Sequence, residues 1–202
     1  MLGHLRGWSA RWPKDRPVTL LDIATGSADL PLAARAWAAG AGFDLRVTAI
    51  DRHETTLDLA REHLASQPEL ARGIHLIQAE AMDLTDRFKP GSFDYVHAGL
   101  FLHHLSEIEV LTVLRIMERL ASRGIVWNDL VRSRVALGAI TVMTMGKPRI
   151  IKHDSTVSVR AAFTKREVLE FARRLDLGYC KYRANFFTQR FTLAGEKRYA
   201  WD

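Results

Sequence analysis

Short β-rich runs alternate with amphipathic helical segments along this chain, and that alternation predicts an α/β fold: one doubly wound domain around a parallel sheet. Two further observations agree. A length of 202 residues suits a single core, able to bury roughly 70% of the unfolded surface without a disulfide or metal. Apolar residues make up 48% and charged residues 26%, globular values that exclude a disordered or fibrous chain.

The elements follow in order. Val18 to Ile23 is a continuous apolar strand that ends in a turn at Gly26. Pro31 suits the first turn of the next helix, which Gly40 stops. A second strand, Leu45 to Ile50, ends at Asp51, and the following helix carries Leu57, Ala60 and Leu64 on one face before Pro68. Ile74 to Gln78 and Phe93 to His97 are the third and fourth strands. Ser106 with Glu109 is a capping box opening a helix to about Leu120, and Gly124 to Trp127 is the fifth strand. Thr164 with Glu167 caps another helix that stops before Gly178. Tyr179 to Leu193 reads as two β-runs, an antiparallel hairpin at the sheet edge.

About 35 residues separate the fifth strand from the Thr164 helix, too many for a simple connection. Within this insertion, residues 131–163, Arg132 to Met145 reads as a helix with apolar side chains on nearly every side. It either covers a binding site or packs as a core helix on the sheet. Residues 1–17 form a short N-terminal segment. Val135 to Gly146, the longest apolar stretch, falls short of the roughly 20 residues a membrane span needs. No basic start is followed by an apolar core, so no secretory signal is expected. The single cysteine, Cys180, forms no internal disulfide and no zinc cluster, which fits a reducing cytoplasm. Net charge is +6, and residues 147–202 hold 13 Lys and Arg against 6 Asp and Glu. That surplus is a solvated face or an attraction for anions, without the aromatic interleaving of a nucleic-acid platform.

The chemistry gathers at the strand ends, where open α/β sheets bind ligands. The first strand closes on Asp22-Ile-Ala-Thr-Gly26-Ser-Ala-Asp29, and Asp51 is placed to accept two hydrogen bonds from a ribose diol. A pyrophosphate needs several glycines and a helix N-terminus free of negative charge. Here Ala24 and Ala28 take the flanking glycine positions, and Asp29 lies in the first turn. This composition favours a ligand with no phosphate and a cationic amino-acid portion, namely S-adenosylmethionine over a dinucleotide.

Val18-Thr-Leu-Leu-Asp-Ile-Ala-Thr-Gly-Ser-Ala-Asp-Leu30, Ala49-Ile-Asp51, Gln78-Ala-Glu-Ala-Met82 and the run Gly91 to Leu105 resemble the class I S-adenosylmethionine-dependent methyltransferases. The resemblance spans about residues 18–193. It is strongest to small-molecule enzymes of the quinone-biosynthesis type. Val126 to Leu130 with Arg132, and Ser158 to Phe163, resemble a bacterial subgroup found alongside polyketide synthases. The resemblance implies a Rossmann-like, seven-strand, mostly parallel sheet with a helical insertion after the fifth strand.

It also implies roles for residues. Asp22 with the backbone at Ala24 and Gly26 would hold the methionine portion, and Asp51 the ribose. Arg52 would flank the adenine, Glu80 would accept from its amino group with Asp83 a nearby alternative, and the amides of Ala81 and Met82 would face its ring nitrogens. Ala98 would offer its carbonyl near the methionine. The product would be S-adenosylhomocysteine.

Methyl transfer to a phenol or enol also requires a base, and histidine suits neutral pH. His97, His103 and His104 fall near the end of the fourth strand, with His103 and His104 the candidates; His153 is a further possibility. Phe101, Asn128, Asp129, Arg132, Ile140, Met143, Met145, Ser158 and Arg160 are candidates for the acceptor pocket. No metal is expected, because only Asp129 stands where a catechol-type enzyme gathers carboxylates.

The expected function is O-methylation, ahead of C-methylation, of a small aromatic, phenolic or polyketide-like acceptor. The alternatives are an RNA methyltransferase using the basic C-terminal region and a non-catalytic cofactor-binding subunit. His97-Ala-Gly-Leu100 lacks the prolines of amino-methyltransferases acting on bases, which argues against nucleic acid. No membrane partner is expected, and a homodimer is open. Relatives carry a longer helical cap before the first strand, so the acceptor pocket is open, completed by another subunit, or belongs to a truncated chain.

Overall fold

Strands that are apolar on both faces are stable only between two covering layers. In the computed structural model, which describes residues 1–132 and 161–197, five strands lie parallel, the central ones buried on both faces and the edge strand partly exposed. They are β1 (Val18–Ile23), β2 (Leu45–Asp51), β3 (Ile74–Gln78), β4 (Phe93–Gly99) and β5 (Ala121–Leu130). β6 (Lys181–Asn185) and β7 (Arg190–Glu196) form a hairpin, and β7 runs antiparallel against β5. The seven-stranded order is β3-β2-β1-β4-β5-β7-β6. β1 has β2 on one side and β4 on the other, so the connections reverse direction there and leave a crevice at the strand ends.

Helices cover both faces. On one, α1 (Leu2–Trp8), α2 (Asp29–Gly40), α3 (Glu54–Ala65) and the short α4 (Pro68–Ala71) close a core holding Leu5, Trp12, Leu32, Ala60, Leu64 and Tyr95. On the other, α5 (Leu84–Arg87), α6 (Glu107–Leu120) and α7 (Lys165–Arg174) enclose Trp127, Phe163, Phe171 and Phe191. Both capping boxes form. Ser106 N–H donates to Glu109 Oε2 at 2.7 Å and Thr164 N–H to Glu167 Oε2 at 2.8 Å, while each hydroxyl accepts from the third residue's amide.

Three elements differ from the sequence reading. β4 runs on to Gly99, so Ala98 lies buried inside the strand rather than past it. β5 extends to Leu130 because Asn128, Asp129 and Leu130 pair with Thr192, Phe191 and Arg190. β7 runs past Leu193 to Glu196, within the expected antiparallel hairpin whose outer strand, β6, forms the sheet edge. The predicted helix from Arg132 to Met145 lies outside the described residues apart from Arg132. What is described of the insertion is its base, where Val131 bridges Phe163 and Arg132 N–H donates to Phe163 O at 2.8 Å.

Residues 1–12 carry structure that their composition did not suggest. Trp8 stacks on Tyr95 at 5.3 Å, and Trp12 Nε1–H donates to the Tyr95 hydroxyl at 2.9 Å. That hydroxyl donates in turn to Glu196 Oε1 at 2.7 Å, and Glu196 also pairs with Arg11. Burial pushes the Tyr95 phenol up to about 12, so it stays protonated and donating. Tyr95→Phe leaves a buried indole N–H and a carboxylate oxygen unpartnered. The expected loss is about 2 kcal/mol of stability in chemical denaturation, with faster proteolysis of residues 1–12.

Candidate active site

The turn after β1 has to bring backbone N–H groups toward β2 while leaving its carbonyls clear. It does so with three left-handed residues in alternation: Ala24 (φ 55°), Gly26 (φ 59°) and Ala28 (φ 61°). Thr25 N–H donates to Ile50 O at 2.8 Å and Gly26 N–H to Asp51 Oδ2 at 3.2 Å. From α3, His63 Nδ1 meets Ser27 O at 2.9 Å. The two alanines therefore adopt glycine-type backbone, at a cost of about 1–2 kcal/mol each.

Beside this turn lies a chain of polar side chains crossing three strands. Asp22, 2% exposed, accepts from the Thr25 hydroxyl at 2.7 Å and from His97 Nδ1 at 2.5 Å. His97 Nε2 lies 2.6 Å from Asn128 Oδ1. Gly99 makes room for the ring: a Cβ there would stand 2.8 Å from His97 Cε1 and 3.2 Å from Asn128 Nδ2.

Two cavities open over the strand ends. The larger, about 840 Å³, is lined by Asp22, Gly26, Asp29, His97, Gly99 and Asn128, and on its far side by the β6–β7 hairpin. The smaller, about 500 Å³, is lined by Asp51, Arg52, Glu80, Ala81, Phe101 and His104. Ala24 and Leu100 belong to both. They form a pinch between two halves of one crevice, and both have positive φ, 55° and 53°.

The donor set suits a nucleoside carrying an amino acid. Asp51 Oδ1 accepts His53 N–H at 3.1 Å and Oδ2 accepts Gly26 N–H, which leaves each oxygen a lone pair for a diol. Asp22 and Asp29 face the other half, and Asp29 in the first turn of α2 opposes a pyrophosphate there.

Residues 20–124 match the family model described as a methyltransferase domain. This chain belongs to that family. No curated protein sequence matches it. Among solved structures, a SAM-dependent methyltransferase from Aquifex aeolicus is 16% identical with a TM-score of 0.65, covering 96% of this chain and 88% of that one. The plantazolicin methyltransferase in complex with a triazolic analog and SAH is 17% identical with a TM-score of 0.67 and covers 91% of this chain. This chain spans 64% of that one, less than two thirds of its length. Magnesium protoporphyrin IX methyltransferase from Synechocystis PCC 6803, with bound SAH, is 12% identical with a TM-score of 0.66, covering 97% and 81%. At these identities the likeness is one of fold, and that fold is the Rossmann-like fold of S-adenosylmethionine-dependent methyltransferases.

Within the methyltransferase, Asp22, Ala24 and Gly26 line the larger cavity, and Asp51, Arg52, Glu80, Ala81 and Phe101 the smaller. Other expected residues stand elsewhere. Met82 packs against the core instead of lining the cavity. Ala98 is enclosed within the sheet, and Gly99 and Leu100 take the position at the rim. Asn128 lines the larger cavity, but Asp129, next along the strand, points to the opposite face and is fully buried. Arg132 pairs with Glu167 on α7 and lines neither cavity. His153, Ile140, Met143, Met145, Ser158 and Arg160 lie outside the described residues.

The histidines separate into three environments. His97 faces the larger cavity with both ring nitrogens engaged. His104 lines the smaller one. His103 is 6% exposed and lines neither; its Nδ1 lies 2.6 Å from Asp129 Oδ1, with no hydrogen bond at Nε2 among the described residues. The sequence reading missed the hairpin wall of Arg183, Asn185, Thr188, Arg190 and Thr192. Its signal in the sequence is the alternation of polar residues on one face of two adjacent β-runs.

Ala24→Gly relieves a left-handed alanine that is only half-buried. The urea midpoint should rise, by about 1 kcal/mol in stability, with no loss of cofactor affinity.

Proposed function

We propose that the protein transfers a methyl group from S-adenosylmethionine to the oxygen of a small aromatic, phenolic or polyketide-like acceptor. The observation that carries this reading is the pair of carboxylates, Asp22 and Asp51, at the ends of neighbouring strands, on either side of a turn that offers no seat for phosphate. Asp51 accepts from the ribose hydroxyls, and Glu80 with the Ala81 amide meets the adenine edge beside Arg52. Asp22, held by Thr25 and His97, attracts the amino group of the methionine portion.

When bound, the cofactor supplies a cationic sulfonium, an electrophile already able to give up its methyl group. The chain's task is alignment and exclusion of water. The larger cavity, floored by His97 and Asn128, receives the acceptor against the pinch at Ala24 and Leu100. A phenolic proton has to leave, and His97 is the histidine that faces the larger cavity, with Asp22 orienting its ring at Nδ1. His103, held by Asp129 on the opposite face of the sheet, lines neither cavity and stands away from an acceptor seated there.

Calorimetric titration with S-adenosylhomocysteine should give micromolar binding, and Asp51→Ala should weaken it by about a hundredfold through loss of two charge-assisted hydrogen bonds. NAD should not bind. Tight binding of NAD, or an Asp51→Ala variant with unchanged affinity, would refute the cofactor reading.

A further inference from the structure

The wall of the larger cavity farthest from Asp22 has the opposite charge. In the β6–β7 hairpin Arg183 pairs with Thr192 and Asn185 with Arg190. Strand alternation puts these four side chains on one face, and all four line the cavity. The other face is apolar: Phe191 and Leu193 are buried there, and Tyr182 stacks on Phe191 at 5.5 Å.

Arg183 and Arg190 are exposed, and neither guanidinium has an ion pair or hydrogen bond among the described residues. Arginines nearby are engaged: Arg11 by Glu196, Arg132 by Glu167, Arg123 by Asp94 and Arg174 by Glu107. Glu196, the only acid on the hairpin, is held by Arg11 and Tyr95; the cavity that it lines is shared with Arg183 but not with Arg190. The acids of the larger cavity, Asp22 and Asp29, stand at the β1 end.

The sheet face thus runs from acid to base. Asp22 on β1 bonds to His97 on β4, His97 meets Asn128 on β5, Asn128 pairs with Thr192 on β7, and Thr192 pairs with Arg183 on β6. With strands about 4.8 Å apart, Arg190 stands roughly 10 Å and Arg183 roughly 14 Å from β4. The cofactor's cationic portion belongs at the acidic end, and two guanidinium groups with no partner among the described residues select an oxyanion at the other.

We propose that the methyl acceptor is an anion, carrying a carboxylate or phosphate at the end away from the methylated atom, and that Arg183 and Arg190 bind that group. The inference rests on the reading of the β1–β4 end as the cofactor seat. It narrows the acceptor from phenols in general to elongated hydroxyaryl or polyketide-like acids. Neutral phenols then lack the group that fixes their orientation, and Asn185, its Oδ1 held by the Phe187 and Thr188 amides, completes the seat with its side-chain N–H.

The test is calorimetric titration with para-hydroxycinnamate, its methyl ester and para-hydroxyphenyl phosphate, each with and without saturating S-adenosylhomocysteine. At least one anion should bind about tenfold or more tightly than the ester, and the tighter of the two identifies the oxyanion. The double variant Arg183→Gln/Arg190→Gln should lose that preference while binding S-adenosylhomocysteine like the parent, which also shows that the hairpin still folds. Equal affinity for acid and ester, a preference that survives in the double variant, or no binding by any of the three probes would overturn the proposal. Failure of S-adenosylhomocysteine to bind, with the anion preference and its arginine dependence intact, would instead overturn the cofactor reading alone.

Discussion

A buried carboxylate is tolerable only when its oxygens are partnered, and Asp22 has its partners on two different elements. Thr25 supplies one from the turn and His97 the other from β4, and His97 passes the constraint to Asn128 on β5. This chain holds the C-terminal ends of the three central strands in one arrangement. It also explains Gly99, since no larger residue leaves space for the imidazole between its two partners. The floor of the larger cavity is therefore a structural cross-brace as well as a chemical surface. Disturbing any one member exposes the other two to desolvation without compensation.

The pinch between the two cavities carries a second constraint. Ala24 and Leu100 are non-glycine residues in left-handed backbone, one after β1 and one after β4. Strained φ values of this kind persist only where the surroundings over-determine them. Thr25 N–H to Ile50 O and Leu100 N–H to Asn128 O, at 2.8 and 2.9 Å, are the bonds that do so. Each ties the residue at or beside the strained position to the end of a neighbouring strand. The crevice is thus narrowed at its middle by backbone rather than by movable side chains, a fixed geometry that suits an enzyme whose main contribution is alignment.

Much of this was legible in the sequence because it is local. The two capping boxes, the buried face of α3 and the acids Asp22 and Asp51 at strand ends each follow from spacing within a dozen residues. What was not legible depends on distant pairing. Helix α1 contains Gly3 and Gly7, poor helix formers; it is held because Leu5 enters the core and Trp8 finds Tyr95. The extension of β5 past Trp127 exists because β7 pairs there. The histidines illustrate the same limit. Three of them lie within eight positions, and nothing in that spacing says that one bridges two strands, one meets a buried aspartate and one lines the other cavity.

The basic surplus of the last quarter also takes a different meaning once placed in space. A diffuse positive surface leaves its charges solvated and evenly spread. In this region Arg173 is held by Glu170, Arg174 by Glu107, and Lys197 by Glu118 together with two backbone carbonyls, while Lys165 lies over the Tyr182 ring. These charges are absorbed by the fold. Arg183 and Arg190 have no such partner among the described residues, and they share the hairpin face that looks into the larger cavity. An unpaired guanidinium on a convex surface is bound only by water, but two on the wall of a concavity strengthen each other's attraction for an anion, because the low-dielectric walls focus their field. The same field disfavours a cation at that end and so opposes a reversed placement of the positively charged cofactor. One pair of arginines on an edge hairpin thereby orients both ligands of the crevice.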